Sequence, residues 1–212
     1  MLSFDQGVIE VISALAKKVA SIFVTRGIST EADQDIYIYA CEIMISTLLN
    51  ILVSLVISLA FGQLLEGIVF IICFALLRHH TGGHHAEYHW GCILTFSIIL
   101  LISLRIIEIA PSNIYAELSI IVATLAFVFI SLTAPIEHRN KTISSNRRKI
   151  LKKKSILIAT FLCLTVLIGN KLTQSTVFLS MALSMASVSS SIAYAMLIKK
   201  GVDHYESGQG KE

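Results

Sequence analysis

Six apolar runs, at residues 36–61, 64–77, 92–110, 114–134, 156–169 and 176–198, leave little of this chain free to make a water-facing surface. A helix that crosses a bilayer needs about 20 apolar residues, because its backbone polar groups must pair within the segment where water is absent. Two runs, 64–77 and 156–169, hold only fourteen residues each. They span by recruiting flanking residues, or they stop inside the membrane, or the bilayer is locally thin. Composition agrees with this pattern: 55% of the 212 residues are hydrophobic and 15% charged, where a soluble domain carries about a quarter charged. The expected fold is all-α, a polytopic membrane protein with about six transmembrane helices.

The N-terminal stretch has a different period. Val8, Ile12, Leu15, Val19 and Ile22 recur at helical spacing, while Glu10, Lys17 and Lys18 fall off the stripe, and Ser3 with Gln6 forms a capping-box pattern. Charge interrupts this stretch too often for it to span, so residues 1–30 are expected to hold an amphipathic helix at the cytoplasmic interface, or a helix packed on the protein's own surface. Asp5 and Glu10 precede any apolar run, and no cleavable signal peptide is expected. The four cysteines stand singly, three of them (Cys41, Cys73, Cys163) within apolar runs. That pattern suggests neither a disulfide framework nor a thiolate zinc finger.

Basic residues set an orientation. Between 135 and 155 lie Arg139, Lys141, Arg147, Arg148, Lys149, Lys152, Lys153 and Lys154, and such an excess marks a cytoplasmic loop. Counting six spans outward from it puts both termini inside, together with Lys17, Lys18, Arg26, Arg78, Lys199, Lys200 and Lys211, and leaves Lys171 outside with Arg105 near the outer end of the third span. The basic stretch serves topology alone, or it also holds an acidic partner or anionic lipid. Arg105 and Glu108, three apart on one helix face, read as a mutually neutralised pair. Residues 201–212 form a short polar tail whose composition predicts disorder.

The segment 78–92 is a polar island. It holds five of the seven histidines (His79, His80, His84, His85, His89), the glycine pair Gly82-Gly83, and Cys92, the cysteine at the mouth of the third apolar run. One account makes Cys92 a nucleophile with a histidine as its base, since a nearby imidazole takes the thiol proton or stabilises the thiolate. Another places His85, His89 and Cys92 on one face of a continuous helix as a zinc or copper site. A third has the histidines cap helix ends and bond headgroups. Geometry distinguishes the first two: on a straight helix His85 and Cys92 stand about 10 Å apart along the axis, so a dyad requires a break, for which Gly91 is a candidate, and a metal site requires continuity or a wrapping loop.

Arg78, then Gly82-Gly83, then His85-Ala86 and a cysteine seven positions after that histidine resemble the signature of the accessory gene regulator protein B (AgrB) family, bacterial membrane endopeptidases that process a quorum-sensing propeptide. The segment Ala134-Pro135-Ile136-Glu137-His138 with Asn140-Lys141 before the basic run is similar to that family's Ala-Pro loop. His79, His80, His84 and His89 are not part of the pattern, and they keep the alternative of a histidine-rich membrane metal-binding or transport protein open.

The resemblance implies that His85 is the general base and Cys92 the nucleophile. The thiolate would attack a peptide bond in the C-terminal part of an AgrD-type propeptide and leave an acyl-enzyme thioester, which leads to a thiolactone or lactone ring. Gly82 and Gly83 would supply free N–H groups for the oxyanion or a plain helix-ending turn. Arg78 would pair with an acidic propeptide group or anchor the helix end, and the basic stretch with Arg147, Arg148 and Lys149 would offer a docking surface for the propeptide. The partners implied are the propeptide, the bilayer of a bacterial cell membrane and a second copy of the chain in a homodimer. No nucleic acid, cofactor or resident metal is expected. The domain division expected is an interfacial helix over 1–30, a membrane peptidase domain over 31–200 with catalytic segment 78–92, and the tail.

Overall fold

The computed structural model describes residues 2–25, 34–81, 89–135, 145–173 and 175–209. They form seven α-helices: α1 (Leu2–Thr25), α2 (Gln34–Ala60), α3 (Leu64–Thr81), α4 (His89–Ile109), α5 (Tyr115–Thr133), α6 (Ser145–Leu172) and α7 (Thr176–Gln209), with a single 3-10 turn at Ser112–Ile114. No strand occurs among the described residues. Among the described residues five helices are long and apolar enough to cross a membrane: Gln34–Ala60, Leu64–Thr81, Ser112–Thr133, Asn146–Leu172 and Thr176–Leu197. The third expected span forms α4, which at 21 residues has the length to cross but is not among those five. The protein is an all-α polytopic membrane protein.

Both short runs lengthen in the folded chain. The run 64–77 continues as helix through Arg78, His79, His80 and Thr81 to give 18 residues. The run 156–169 is the middle of a 28-residue helix that starts at Ser145, so residues 145–155, expected as part of a loop, are helical. Lysine and arginine are good helix formers, and no proline or glycine stands between 145 and 168. Charge ends an apolar run without ending a helix. Likewise α7 continues to Gln209, through most of the stretch whose composition predicts disorder: no proline stands there, and extending a helix already formed costs less than starting one, which offsets part of the penalty of Gly201 and Gly208. The motif around Ala134-Pro135 begins where α5 stops: Ala134 is extended, ψ 149°, as a residue preceding proline prefers. Residues 136–144 lie outside those described.

The chain divides into two compact units, residues 1–57 with 86–98, and residues 58–85 with 99–212. In the first, α1 buries Ile12, Ala16 and Ala20 and leaves Leu15, Val19 and Ile22 exposed. Of the four stripe residues whose side chains are described, Ile12 is buried and the other three are exposed. The row of small alanines at i, i+4 packs inward, and the larger aliphatics stay free for an apolar surround. On α2 the exposed side chains include Ile36, Met44, Leu48, Leu52, Val56 and Leu59, as a lipid-facing span requires.

In the second unit α7 packs against α3, α5 and α6. Their common core runs through Cys73 and Leu77 of α3, Ala123, Ala126 and Ile130 of α5, Ala159, Leu162 and Val166 of α6, and Ala182, Met185, Val188 and Ile192 of α7. Lipid tails are as apolar as leucine, so burial does not drive such helices together. Close packing of small residues and interhelical hydrogen bonds do. Ser180 Oγ donates to the Glu66 carbonyl at 2.6 Å and Thr176 Oγ1 to Glu66 Oε1 at 2.5 Å, joining the starts of α7 and α3. Buried Asn170 of α6 donates to Ser119 Oγ of α5 at 2.8 Å. Gly67 lies so close to Ser58 that a Cβ on it would collide with the serine side chain. The turn between α2 and α3 needs Gly62 at φ +67°, a conformation costly for other residues.

Candidate active site

Three features of the candidate segment are fixed by α3 and α6. Arg78, His79 and His80 occupy the last turn of α3, where cationic or polar groups complement the negative end of the helix dipole. The two imidazoles meet edge to face, ring centres 4.9 Å apart at 78°, and His80 Nδ1 lies 3.1 Å from the Leu76 carbonyl. His79 is exposed, whereas Leu77 and Thr81 on the opposite face are fully buried. The end of α3 thus presents its polar residues outward from an anchored face.

The anchor includes a residue that the sequence reading does not single out. Ser155 of α6 is fully buried, and its hydroxyl lies 2.9 Å from the His80 carbonyl and 2.8 Å from the Leu151 carbonyl, sharing one proton between them. The last carbonyls of a helix have no partner within it. Ser155 supplies one to His80 from 75 positions away. Its signal in the sequence is slight: a lone hydroxyl where the basic run ends and the apolar run begins.

Ahead of Ser155, the first turns of α6 carry Arg147, Arg148, Lys149, Lys152, Lys153 and Lys154, all exposed. The ten residues 145–154 extend α6 about 15 Å beyond its apolar part. Six cations on a helix joined by Ser155 to the end of α3 give this end of the second unit a strongly positive surface, suited to acidic peptide or anionic headgroups.

Gly82, Gly83, His84 and His85 lie outside the described residues. Cys92 is in the first turn of α4, which starts at His89; its side chain, like that of His89, is outside those described. The other three cysteines, Cys41, Cys73 and Cys163, are buried, as expected for cysteines that pack inside apolar helices. Among the described residues no group of three His, Cys, Asp or Glu side chains could hold a metal ion.

Comparison with known proteins places these features in a family. The family model described as Accessory gene regulator B matches residues 16–197. The chain is 30% identical over 132 residues to AgrB-like protein 2 of Clostridium perfringens (strain 13 / Type A), covering 58% of this chain and 60% of that relative. It is 27% identical over 150 residues to an AgrB-like protein of Clostridium perfringens (strain SM101 / Type A), covering 65% of this chain and 69% of the other. A third relative, an AgrB-like protein of Listeria welshimeri, is 25% identical over 149 residues, covering 68% and 71%. The matched stretch thus spans about 60% of the length of the first relative and about 70% of the other two. No solved structure matches. With the match running from α1 into α7 and taking in the segment from Arg78 of α3 to Cys92 of α4, this chain belongs to the accessory gene regulator B family.

Proposed function

We propose that this protein is a membrane cysteine endopeptidase that matures an AgrD-type quorum-sensing propeptide. The observation that carries the reading is the family match over residues 16–197, which takes in Arg78, Gly82-Gly83, His85 and Cys92 at the family's spacing. The burial of Cys41, Cys73 and Cys163 supports it, because a nucleophile must be reached by its substrate. In the proposed reaction His85 takes the proton of the Cys92 thiol, and the sulfur attacks a peptide carbonyl in the C-terminal part of the propeptide. The C–N bond breaks as His85 returns the proton to the leaving amine. Backbone N–H groups at Gly82-Gly83 stabilise the oxyanion. A cysteine or serine within the bound peptide then attacks the Cys92 thioester, closing a thiolactone or lactone and freeing the Cys92 thiol.

Substrate binding falls to cationic groups. Arg78 at the end of α3 and Arg147, Arg148 and Lys149 on α6 are assigned to an acidic part of the propeptide, through charge-assisted hydrogen bonds. The excess of lysine and arginine at 145–154 supports a cytoplasmic placement of this end, with both termini inside, and the functional assembly is a homodimer. Impermeant thiol reagents should then fail to label Cys92 in sealed right-side-out vesicles, and labelling would invert the topology.

The decisive experiment is to incubate the full-length protein in membranes with its propeptide and seek the Cys92 thioester by mass spectrometry. Cys92→Ala and His85→Ala should abolish cleavage while the protein still inserts, and chelators should leave cleavage intact. Cleavage by Cys92→Ala at the parent rate, or loss of activity on chelation with recovery on zinc addition, would refute the dyad.

A further inference from the structure

At the end of the second unit opposite the basic turns of α6, two recesses share a wall. One, of about 230 Å³, is lined by Ala60, Phe61, Arg105 and Glu108. The other, of about 680 Å³, shares Phe61 and Arg105 and is otherwise apolar, with Leu101, Ile102, Ile106, Ile109 and Pro111 along it. Arg105 Nη1 donates to Glu108 Oε2 at 2.8 Å, yet the two side chains remain 61% and 50% exposed. The guanidinium lies over the Phe61 ring, 4.8 Å from its centre, and that ring is seated by the tight turn at Gly62, whose N–H donates to the Leu59 carbonyl at 2.9 Å.

We infer that this pair of recesses is a binding site for a zwitterionic phospholipid bearing a primary ammonium, its phosphate on Arg105, its ammonium on Glu108 and an acyl chain along Ile102, Ile106 and Ile109. Three observations lead there. First, depth: Arg105 stands four residues before the end of α4, about 6 Å along the axis, the level at which headgroups meet acyl chains. Ion pairs on a membrane-crossing helix are costly unless they serve a partner or reach water. Second, shape: a small charged recess opening into a larger apolar cleft is the outline of an amphiphile, and Ile102 and Ile109, at 55% and 76% exposed, open that cleft towards the lipid side. Third, sign: a purely anionic headgroup would meet the Glu108 carboxylate beside the arginine, whereas a zwitterion matches both charges. The guanidinium uses one N–H group on Glu108 and one face on Phe61, which leaves further N–H groups in its fork to grip a phosphate bidentately. A trimethylated ammonium has no proton to give Glu108, so the site selects a primary amine.

The test is native mass spectrometry of the full-length protein released from detergent with phosphatidylethanolamine, phosphatidylglycerol or phosphatidylcholine added in equal amounts. Phosphatidylethanolamine should be retained preferentially, and Glu108→Gln should remove that preference, with a loss on the order of tenfold for one charged hydrogen bond. Ile106→Trp, which fills the cleft and leaves the charges alone, should weaken retention of every lipid. Both variants should keep the parent's helical circular dichroism. The double exchange Arg105→Glu with Glu108→Arg should restore binding, since the headgroup can turn. Equal retention of all three lipids, a preference untouched by Glu108→Gln, or an Ile106→Trp variant that loses a dimer instead of a lipid would overturn the inference, the last by assigning the cleft to a second copy of the chain.

Discussion

Ser155 of α6 donates a hydrogen bond to the backbone carbonyl of His80, 2.9 Å away at the end of α3, and so joins the root of the cationic turns to the start of the candidate catalytic segment. Removing it leaves a helix-terminal carbonyl without its partner in a fully buried spot, a loss of about 1 kcal/mol. Ser155→Ala should therefore lower propeptide cleavage several-fold in membranes while the amount of inserted protein stays near the parent's. Ser155→Cys, close in size, should fall between the two. Parent-like cleavage rates in both variants would mean that the end of α3 does not position the catalytic segment.

The contact between Gly67 and Ser58 predicts a stability effect far from any chemistry. An added methyl at Gly67 meets Cβ and Oγ of Ser58, and Cβ cannot rotate away. Gly67→Ala should destabilise the protein by about 1–3 kcal/mol through overpacking, read as a lower melting temperature in detergent. Ser58→Gly in the same chain should recover part of that loss, because it removes the colliding atoms.

At the starts of α3 and α7, Glu66 receives two hydroxyl protons from the other helix, on its carboxylate from Thr176 and on its carbonyl from Ser180. Glu66→Gln and Thr176→Val each break or weaken the side-chain bond. Each should cost about 1–2 kcal/mol, and the double variant should lose less than the sum because both delete one interaction. Thermal unfolding of the four proteins measures that coupling, and strict additivity would show that the bond contributes nothing.

Thiol chemistry offers a fourth handle. Cys41, Cys73 and Cys163 are 7%, 5% and 7% exposed, and the Cys73 thiol is hydrogen-bonded with Ser184. A maleimide reagent should label the folded protein in mild detergent about once per chain, and Cys92→Ser should abolish labelling. Cys41→Ala or Cys163→Ala should leave propeptide cleavage within about twofold of the parent, since such small-residue changes spare the reacting atoms.

Neutralising the cations on α6 should separate binding from chemistry. Replacing Arg147, Arg148 and Lys149 with glutamine should raise KM for the propeptide and leave kcat near the parent value, the pattern of lost ground-state binding. Raised salt should weaken the parent in the same direction, because exposed charges are screened. A fall in kcat with KM unchanged would move these residues from docking to the reacting centre.

Much of this architecture is legible from one sequence, and the misses share a cause. Apolar run length identifies where the helices are, but hydropathy does not mark their ends. Residues 78–81 are polar or charged and 145–155 nearly so, with Ile150 and Leu151 the exceptions, yet both stretches are helical, since helix formation asks only for backbone pairing and tolerable side chains. On α1 the stripe does not tell which residues pack inward: Ile12 is buried with the small Ala16 and Ala20, while Leu15, Val19 and Ile22 stay exposed. The pair Arg105 and Glu108 is visible from its spacing of three, but Phe61 beneath the guanidinium is not. Bonds between positions 75, 110 or 51 residues apart, such as Ser155 with His80, Thr176 with Glu66 and Asn170 with Ser119, depend on which helices become neighbours, and no local pattern encodes that.

The unbroken course of α6 has a mechanical consequence. From Ser145 to Leu172 the helix contains no proline, and its one glycine, Gly169, lies near the far end. The cationic turns and Ser155 therefore move as one rod, with no joint between them to absorb a displacement. Under the proposed function, a propeptide that tugs on Arg147 or Lys149 would pull on the carbonyl of His80 as well, so that grasping the substrate and setting the end of α3 would become one act.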